Sequence, residues 1–255
     1  MPNWCENRLE VSGDANELKK FLEIGIKEEP MSYSKTGEKE LVWRMSRYLP
    51  TPEPLQRTIS PARDCEWVND WDVKHAKKRI EEQPSKIAEL EKKLETATDE
   101  DRNDLLDQLV EAKKPIKVPE LIPCANGTEK DRKALIKKYG VDNWYNWNVA
   151  NWGTKWDCDS SEQGYETDNE SYFVMNFDSA WSPPVNWLEK VIADYPKLNF
   201  KLSYSETGCW FAGVAYSENG LMFEEQGEPE YIDSNSGAVV TYNNDKDCYL
   251  DEDGN

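Results

Sequence analysis

The chain has 255 residues, with 50 acidic against 31 basic side chains, a formal net charge of −19, and enough apolar and aromatic residues (38% and 11%) to build a real core. No stretch approaches the roughly 20 apolar residues of a bilayer span, and the opening MPNWCENRLEVSG lacks the basic and apolar regions of a secretory signal, so no membrane partner and a cytoplasmic location are expected. The charge is uneven: Asp157 to Asn255 carries 21 acids, four lysines and no arginine, a net of −17, which leaves 29 acids and 27 bases in residues 1–156, and a surface so poor in cations is predicted to bind no nucleic acid directly.

Asn7 to Ser12 alternates apolar Leu9 and Val11 with polar neighbours, the period of a half-buried strand. Asp14 is then placed to cap a helix whose Leu18, Phe21, Leu22 and Ile26 recur at helical spacing. From Glu28 to Arg63 the chain is predicted to be irregular, and Pro50, Pro52 and Pro54 argue against a helix there. In Lys74 to Lys114, Ile80, Ile87 and Leu94 stand seven apart, and Leu105, Leu106, Leu109 and Ala112 follow the turn-like TATDEDRN. This spacing predicts a helical hairpin whose first arm begins or kinks at Pro84. Two heptads are too few to stand alone, so the hairpin is either a solvated insertion or an arm that docks a partner or pairs two copies of the chain as a homodimer.

Glu129 to Tyr139 predicts another helix, stopped by Gly140. The aromatic block from Asp142 to Asp157 follows, with a strand expected to begin between Trp152 and Trp156. Ser171 to Ala180 is the clearest strand, and Pro183-Pro184 leads into a helix carrying Trp187, Leu188, Val191 and Ile192. Leu198 to Glu206 and Cys209 to Tyr216 form a hairpin about Thr207-Gly208. This order predicts an α+β fold, a ferredoxin-like split βαβ antiparallel sheet with helices on one face, an inserted helical hairpin and an added C-terminal β-hairpin. The corresponding division is a core of residues 1–73 and 115–223, an insertion of 74–114 and an acidic extension of 224–255.

Four blocks, MPNWCENRLEVSG, KKYGVDNWYNWNVANWGTKWD, FDSAWSPP and YSETGCWFAGVAYSENG, resemble the YubB-like and Api92-like proteins carried by phages and conjugative plasmids. The resemblance implies a ferredoxin-like domain and a mobile-element context. It brings no activity, cofactor or catalytic residue with it, and it leaves 74–114 and the segment after Gly220 outside the matching blocks.

Little in the chain points to catalysis. The single histidine, His75, stands in a lysine-rich helix start, and no nucleophile-elbow, phosphate-loop or zinc-helix pattern occurs. No catalytic residue, metal or cofactor is assigned. Six scattered cysteines are expected to be reduced thiols. Carboxylate groups such as Asp157, Asp159 and Glu162, or Asp245, Asp247 and Asp251, are expected by chance among 50 acids.

Two functions remain. The leading expectation is a non-catalytic accessory protein that binds the basic surface of a host protein, with nucleic-acid-handling or defence factors as the partner class. The surface would comprise Glu218, Glu224, Glu225, Glu228, Glu230, Asp245, Asp247 and Asp251, since carboxylates steer basic partners. The alternative is a small-ligand or nucleotide-sequestering protein using Asn151, Trp152, Lys155, Trp156 and Asp157, which combine stacking faces, a cation and polar edges. Against it, tryptophan is also an ordinary core residue.

Overall fold

The computed structural model describes residues 3–30, 38–158, 165–168, 171–227, 231–232, 239–243 and 248–251. Strand β1 (Trp4–Gly13) is followed by helix α1 (Ala15–Gly25), whose first N–H groups at Asn16 and Glu17 are capped by the Asp14 carboxylate. A hairpin of β2 (Ile26–Pro30) and β3 (Lys39–Trp43) comes next, then a 3-10 turn over Met45–Arg47. The helices α2 (Glu53–Gln56), α3 (Asp70–Glu95), α4 (Asp99–Ala112), α5 (Glu129–Tyr139) and α6 (Trp144–Trp152) occupy the middle of the chain. The sheet resumes with β4 (Tyr165–Thr167), β5 (Tyr172–Ala180), helix α7 (Val185–Asp194), β6 (Leu198–Glu206), β7 (Phe211–Glu218) and β8 (Leu221–Gly227). Short strands β9 (Tyr231–Ile232), β10 (Val239–Asn243) and β11 (Cys248–Asp251) make a separate three-stranded sheet.

By their internal contacts these residues form two compact units, residues 1–52 with 145–255, and residues 53–144. The second unit is wider than the 74–114 hairpin taken alone.

In the first unit the main sheet runs β4-β5-β1-β6-β7-β8, antiparallel at every pairing. Its β4-β5-β1-β6 part, with α1 after β1 and α7 between β5 and β6, is the ferredoxin-like arrangement. The β6–β7 hairpin extends it, and β8 adds a further strand. Period-two alternation sets the faces. Cys5, Leu9 and Val11 of β1, Phe173, Met175 and Phe177 of β5, and Phe200 and Leu202 of β6 all point inward. Over them lie Leu18, Phe21 and Leu22 of α1 and Trp187, Leu188, Val191 and Ile192 of α7.

The core is aromatic at its centre. Phe21 stacks on Tyr48 at 4.5 Å, while Trp43 meets Phe177 at 5.4 Å and Trp187 at 5.5 Å. Each ring excludes water and its polar atom finds a partner: the Tyr48 hydroxyl donates to the Phe21 carbonyl and accepts the Trp43 Nε1–H, and the Trp187 Nε1–H reaches the Met45 carbonyl. Buried Asn7 is likewise satisfied by the Cys5 carbonyl and the Ser179 hydroxyl.

Several expectations are corrected. The region predicted to be irregular contains the β2–β3 hairpin, because Leu41, Val42 and Trp43 supply an apolar run that the proline-rich neighbourhood obscured. Helix α2 begins inside that proline run, with Pro54 in its first turn, where a missing N–H costs nothing. The aromatic block is not a strand start at Trp152. It forms α6, ended by Gly153 at φ 90°, and the remaining edge strand of the split βαβ is β4.

In the second unit, α3 starts at Asp70 and runs 26 residues through Pro84 instead of beginning there. Beside that proline the Gln83 amide donates to the Ala112 and Lys114 carbonyls, fastening α3 to the end of α4. The Thr98 and Thr128 hydroxyls cap α4 and α5, and Gly140 closes α5 in the left-handed region at φ 79°.

The expectation of six free thiols fails here. Cys65 and Cys124, 59 residues apart in sequence, are paired as a disulfide with Cα atoms 6.3 Å apart. Sequence spacing could not show this, because the two segments are brought together by backbone bonds, Cys65 N–H to the Gly127 carbonyl and Cys124 N–H to the Glu66 carbonyl. Gly127 is needed at that crossing, since a Cβ there would stand 2.0 Å from the Cys65 oxygen.

Candidate functional site

The face of the main sheet opposite α1 and α7 is polar, with aromatic residues at its margins. Alternation and register place Asp178, Glu6 and Ser205 in one cross-strand row. The next row is Asn176, Arg8, Ser203, Val214 and Glu225, and the one after it Glu166, Val174, Glu10, Lys201, Tyr216 and Phe223. Glu218 continues this face on β7. The first two rows line a shallow depression of about 580 Å³ that includes Glu6, Arg8, Asn176, Asp178, Ser203 and Ser205. Arg8 is spent on Glu10, which Lys201 also approaches at 4.0 Å. Among the described residues Glu6, Asp178 and Glu218 have no basic partner.

At the end of this face next to Glu6 and Asp178 stands a group of tryptophans. Trp4, Trp156 and Trp181 are each close to half exposed, at 43%, 42% and 46%. Trp4 and Trp156 have centroids 6.3 Å apart, and the Lys155 ammonium sits 3.7 Å from the Trp156 ring and 5.8 Å from that of Trp181. The loops carrying them are locked together. The Thr154 hydroxyl donates to the Ala180 carbonyl at 2.9 Å, the Ser182 hydroxyl to the Gly153 carbonyl at 2.5 Å, and the Trp181 N–H to the Asn3 carbonyl at 3.0 Å. Gly153 permits this closeness, because a Cβ would lie 2.9 Å from the Pro183 oxygen. Trp181 itself is held at φ 74°, a conformation that costs a bulky residue energy and persists only where its surroundings impose it.

The residues singled out from the sequence divide sharply. Trp152 is buried at 3% exposure with its Nε1–H on the Leu49 carbonyl. Asn151 bridges the Trp147 carbonyl and the Lys190 ammonium. The Asp157 carboxylate receives the Met45, Ser46 and Cys158 N–H groups, capping the 3-10 turn. Those three hold the fold, and of the five only Trp156 is exposed, with the half-buried Lys155 lying over its ring. Sequence reading missed Trp4 and Trp181, for which the signal was a tryptophan beside a strand end in NWCEN and DSAWSPP.

Of the acids, Glu218 and Glu225 lie on the open face, whereas Glu224 faces the other way and accepts the Tyr204 hydroxyl at 2.6 Å. Burial, and then that carboxylate, raise the Tyr204 phenol above its ordinary value. Asp251 falls in β11. Glu228, Glu230, Asp245 and Asp247 lie outside the described residues, as do Asp159 and Glu162.

Among the described residues no group of three or more His, Cys, Asp or Glu is arranged to hold a metal ion. Burial pushes the Cys5 thiol up to about 12 and raises that of Cys158, and the Glu206 carboxylate raises Cys209. These shifts are opposite to those of an activated nucleophile. Among the described residues no helix is long and apolar enough to cross a membrane.

The sheet order and helix placement make this a ferredoxin-like domain protein of the α+β class. Residues 151–247 match the family model described as the ferredoxin-like domain in Api92-like protein. That span holds five of the six main-sheet strands, and the central β1 comes from outside it. A crystal structure of the protein api92 from Yersinia pseudotuberculosis is similar over 90% of this chain and 98% of its own, with 12% identity and a TM-score of 0.40. No curated protein matches the chain.

Proposed function

We propose that the chain is a non-catalytic accessory protein of a phage or plasmid that binds a basic surface of a host protein, with nucleic-acid-handling and defence factors as the partner class. The supporting observation is the open sheet face, on which Glu6, Glu10, Asp178, Glu166, Glu218 and Glu225 outnumber Arg8 and Lys201. Carboxylates held on a rigid sheet cost little ordering on binding, and their summed field draws a cationic partner and repels phosphates. The proposed surface thus keeps Glu218 and Glu225 from the sequence-based set and centres on β1 and β5. The nucleotide reading loses ground, because Asn151, Trp152 and Asp157 are committed to internal hydrogen bonds.

The test is association with a partner captured from the host in the presence of nuclease, followed at increasing ionic strength. A rate that falls steeply with salt, together with weaker binding by Glu6→Gln, Asp178→Asn and Glu225→Gln combined, supports the acidic face. Binding indifferent to both salt and those substitutions overturns it.

A further inference from the structure

The tryptophan group gives the acidic face a more specific use. Exposed tryptophans are uncommon on a protein surface, and rigid, partly exposed ones are the typical anchors of interfaces. Here Trp4, Trp156 and Trp181 share the end of the sheet, and their loops are fixed before any ligand arrives. A cation already lies against the rings, at 3.7 Å from the Trp156 centroid. That is within the distance at which the ring quadrupole attracts an ammonium or guanidinium. Among the described residues Lys155 has no carboxylate within ion-pair distance, so its position is set by the rings and it can be displaced.

We propose that Trp4, Trp156 and Trp181 form a seat for an arginine side chain of the partner, which stacks on Trp156 and Trp181 in place of the protein's own Lys155. The proposal rests on the basic-partner reading above and names the residue recognised. Arginine fits better than lysine because its planar, weakly hydrated guanidinium stacks on an aromatic face and still presents N–H donors at its edge. Glu6 stands two residues from Trp4 on the same face and pairs across the strands with Asp178, one strand repeat of about 7 Å away. Those carboxylates can accept the guanidinium N–H groups or a neighbouring basic residue. A nucleotide or other phosphate would meet the same carboxylates as repulsion.

The experiment titrates hexa-arginine and hexalysine peptides, equal in charge, into the full chain, reading tryptophan fluorescence and calorimetry at high salt. The expected result is at least about tenfold tighter binding of the arginine peptide, in line with a desolvated cation–π contact. Lys155→Met should strengthen arginine binding severalfold, because the internal competitor is gone. Trp156→Ala with Trp181→Gly should abolish the arginine preference and leave hexalysine binding unchanged. Glycine at 181 relaxes the positive φ and protects the fold. If that double variant does not fold, Lys155→Met, which alters one surface side chain, decides alone. Equal affinity of the two peptides for the unmodified protein, or weaker arginine binding by Lys155→Met, overturns the seat. The two readings fail differently: neutralising Glu6 and Asp178 acts on both peptides, whereas the tryptophan changes act on the arginine peptide only.

Discussion

The two units of the chain solve the stability problem with different materials. Residues 1–52 and 145–255 hold 30 acids against 13 bases, a net of −17, and still fold on a sheet whose inner face is packed with Phe21, Trp43, Phe173, Phe177 and Trp187. Residues 53–144 hold 20 acids and 18 bases, a net of −2. Their helices bury few large side chains, chiefly Leu55, Val73, Leu90 and Leu135, and display exposed pairs such as Lys93–Glu89 and Lys133–Glu129. A dense aromatic core tolerates a strongly charged surface because area buried outweighs screened repulsion. Balanced charge spread along helices adds little stability, so the second unit depends on caps, the Gln83 tie and the Cys65–Cys124 link.

That contrast is broken most severely by Trp187→Ala. It empties the space beside Trp43 and Tyr48 and removes one of the donors to the Met45 carbonyl, which keeps the Tyr48 and Leu49 N–H groups, at a cost of about 4 kcal/mol. Urea unfolding followed by near-ultraviolet dichroism should lose the aromatic signal at much lower denaturant, while the helical signal of residues 53–144 persists. Simultaneous loss of both signals would show a single cooperative unit.

The next effect concerns Glu29, which takes bonds from Arg44 and Arg47 while Arg47 also reaches the Gly25 and Val42 carbonyls. The Arg44 hydrogen bond, and then its charge, hold the Glu29 carboxyl below its ordinary value. A lowered carboxyl contributes stability that is complete above the ordinary carboxylate range and disappears as pH falls through its own lowered value. Glu29→Gln should cost about 2 kcal/mol at neutral pH, and the difference between variant and parent should shrink on acidification below the ordinary carboxylate range. A difference that is constant with pH would refute the assignment.

Smaller still is Thr128→Ala, which removes the hydroxyl that accepts the Asp131 N–H at the start of α5. About 1 kcal/mol should be lost, and only in the transition of the second unit. At the bottom of the scale Lys93→Ala, which breaks an exposed pair with Glu89, should leave the melting midpoint unchanged within error, because an isolated surface pair gains almost nothing in water. A measurable loss would mean the helical unit relies on its charges more than its neighbours suggest.

Periodicity made much of the first unit legible. The alternation in Asn7 to Ser12, Ser171 to Ala180 and Leu198 to Glu206 appears as β1, β5 and β6 in one antiparallel sheet, and the stripes Leu18–Leu22 and Trp187–Ile192 appear as α1 and α7 beneath it. The aromatic block was harder. In α6 large rings fall on buried and exposed sides alike, so Trp147 and Trp152 pack inward while Tyr145 and Val149 remain exposed, and no single period separates them. The candidate site was half visible: Lys155 and Trp156 were chosen for their chemistry, whereas Trp4 and Trp181 stand in separate strand-end contexts that only the sheet joins.

By itself the sequence determined the α+β class, the ferredoxin-like order, the capped helices at Asp14 and Gly140, and the concentration of acid in the later half, because each is written in short-range spacing or in composition. Tertiary structure alone decided which tryptophans are core and which are surface, that Asp157 and Asn151 serve the fold, that Cys65 meets Cys124, and that Glu224 turns away from Glu225. These outcomes depend on contacts between residues tens to more than a hundred positions apart, such as Trp181 N–H on the Asn3 carbonyl and Trp187 on Met45. Local propensity carries no information about such pairs, since burying them together is what selects one side-chain arrangement among many of equal local cost.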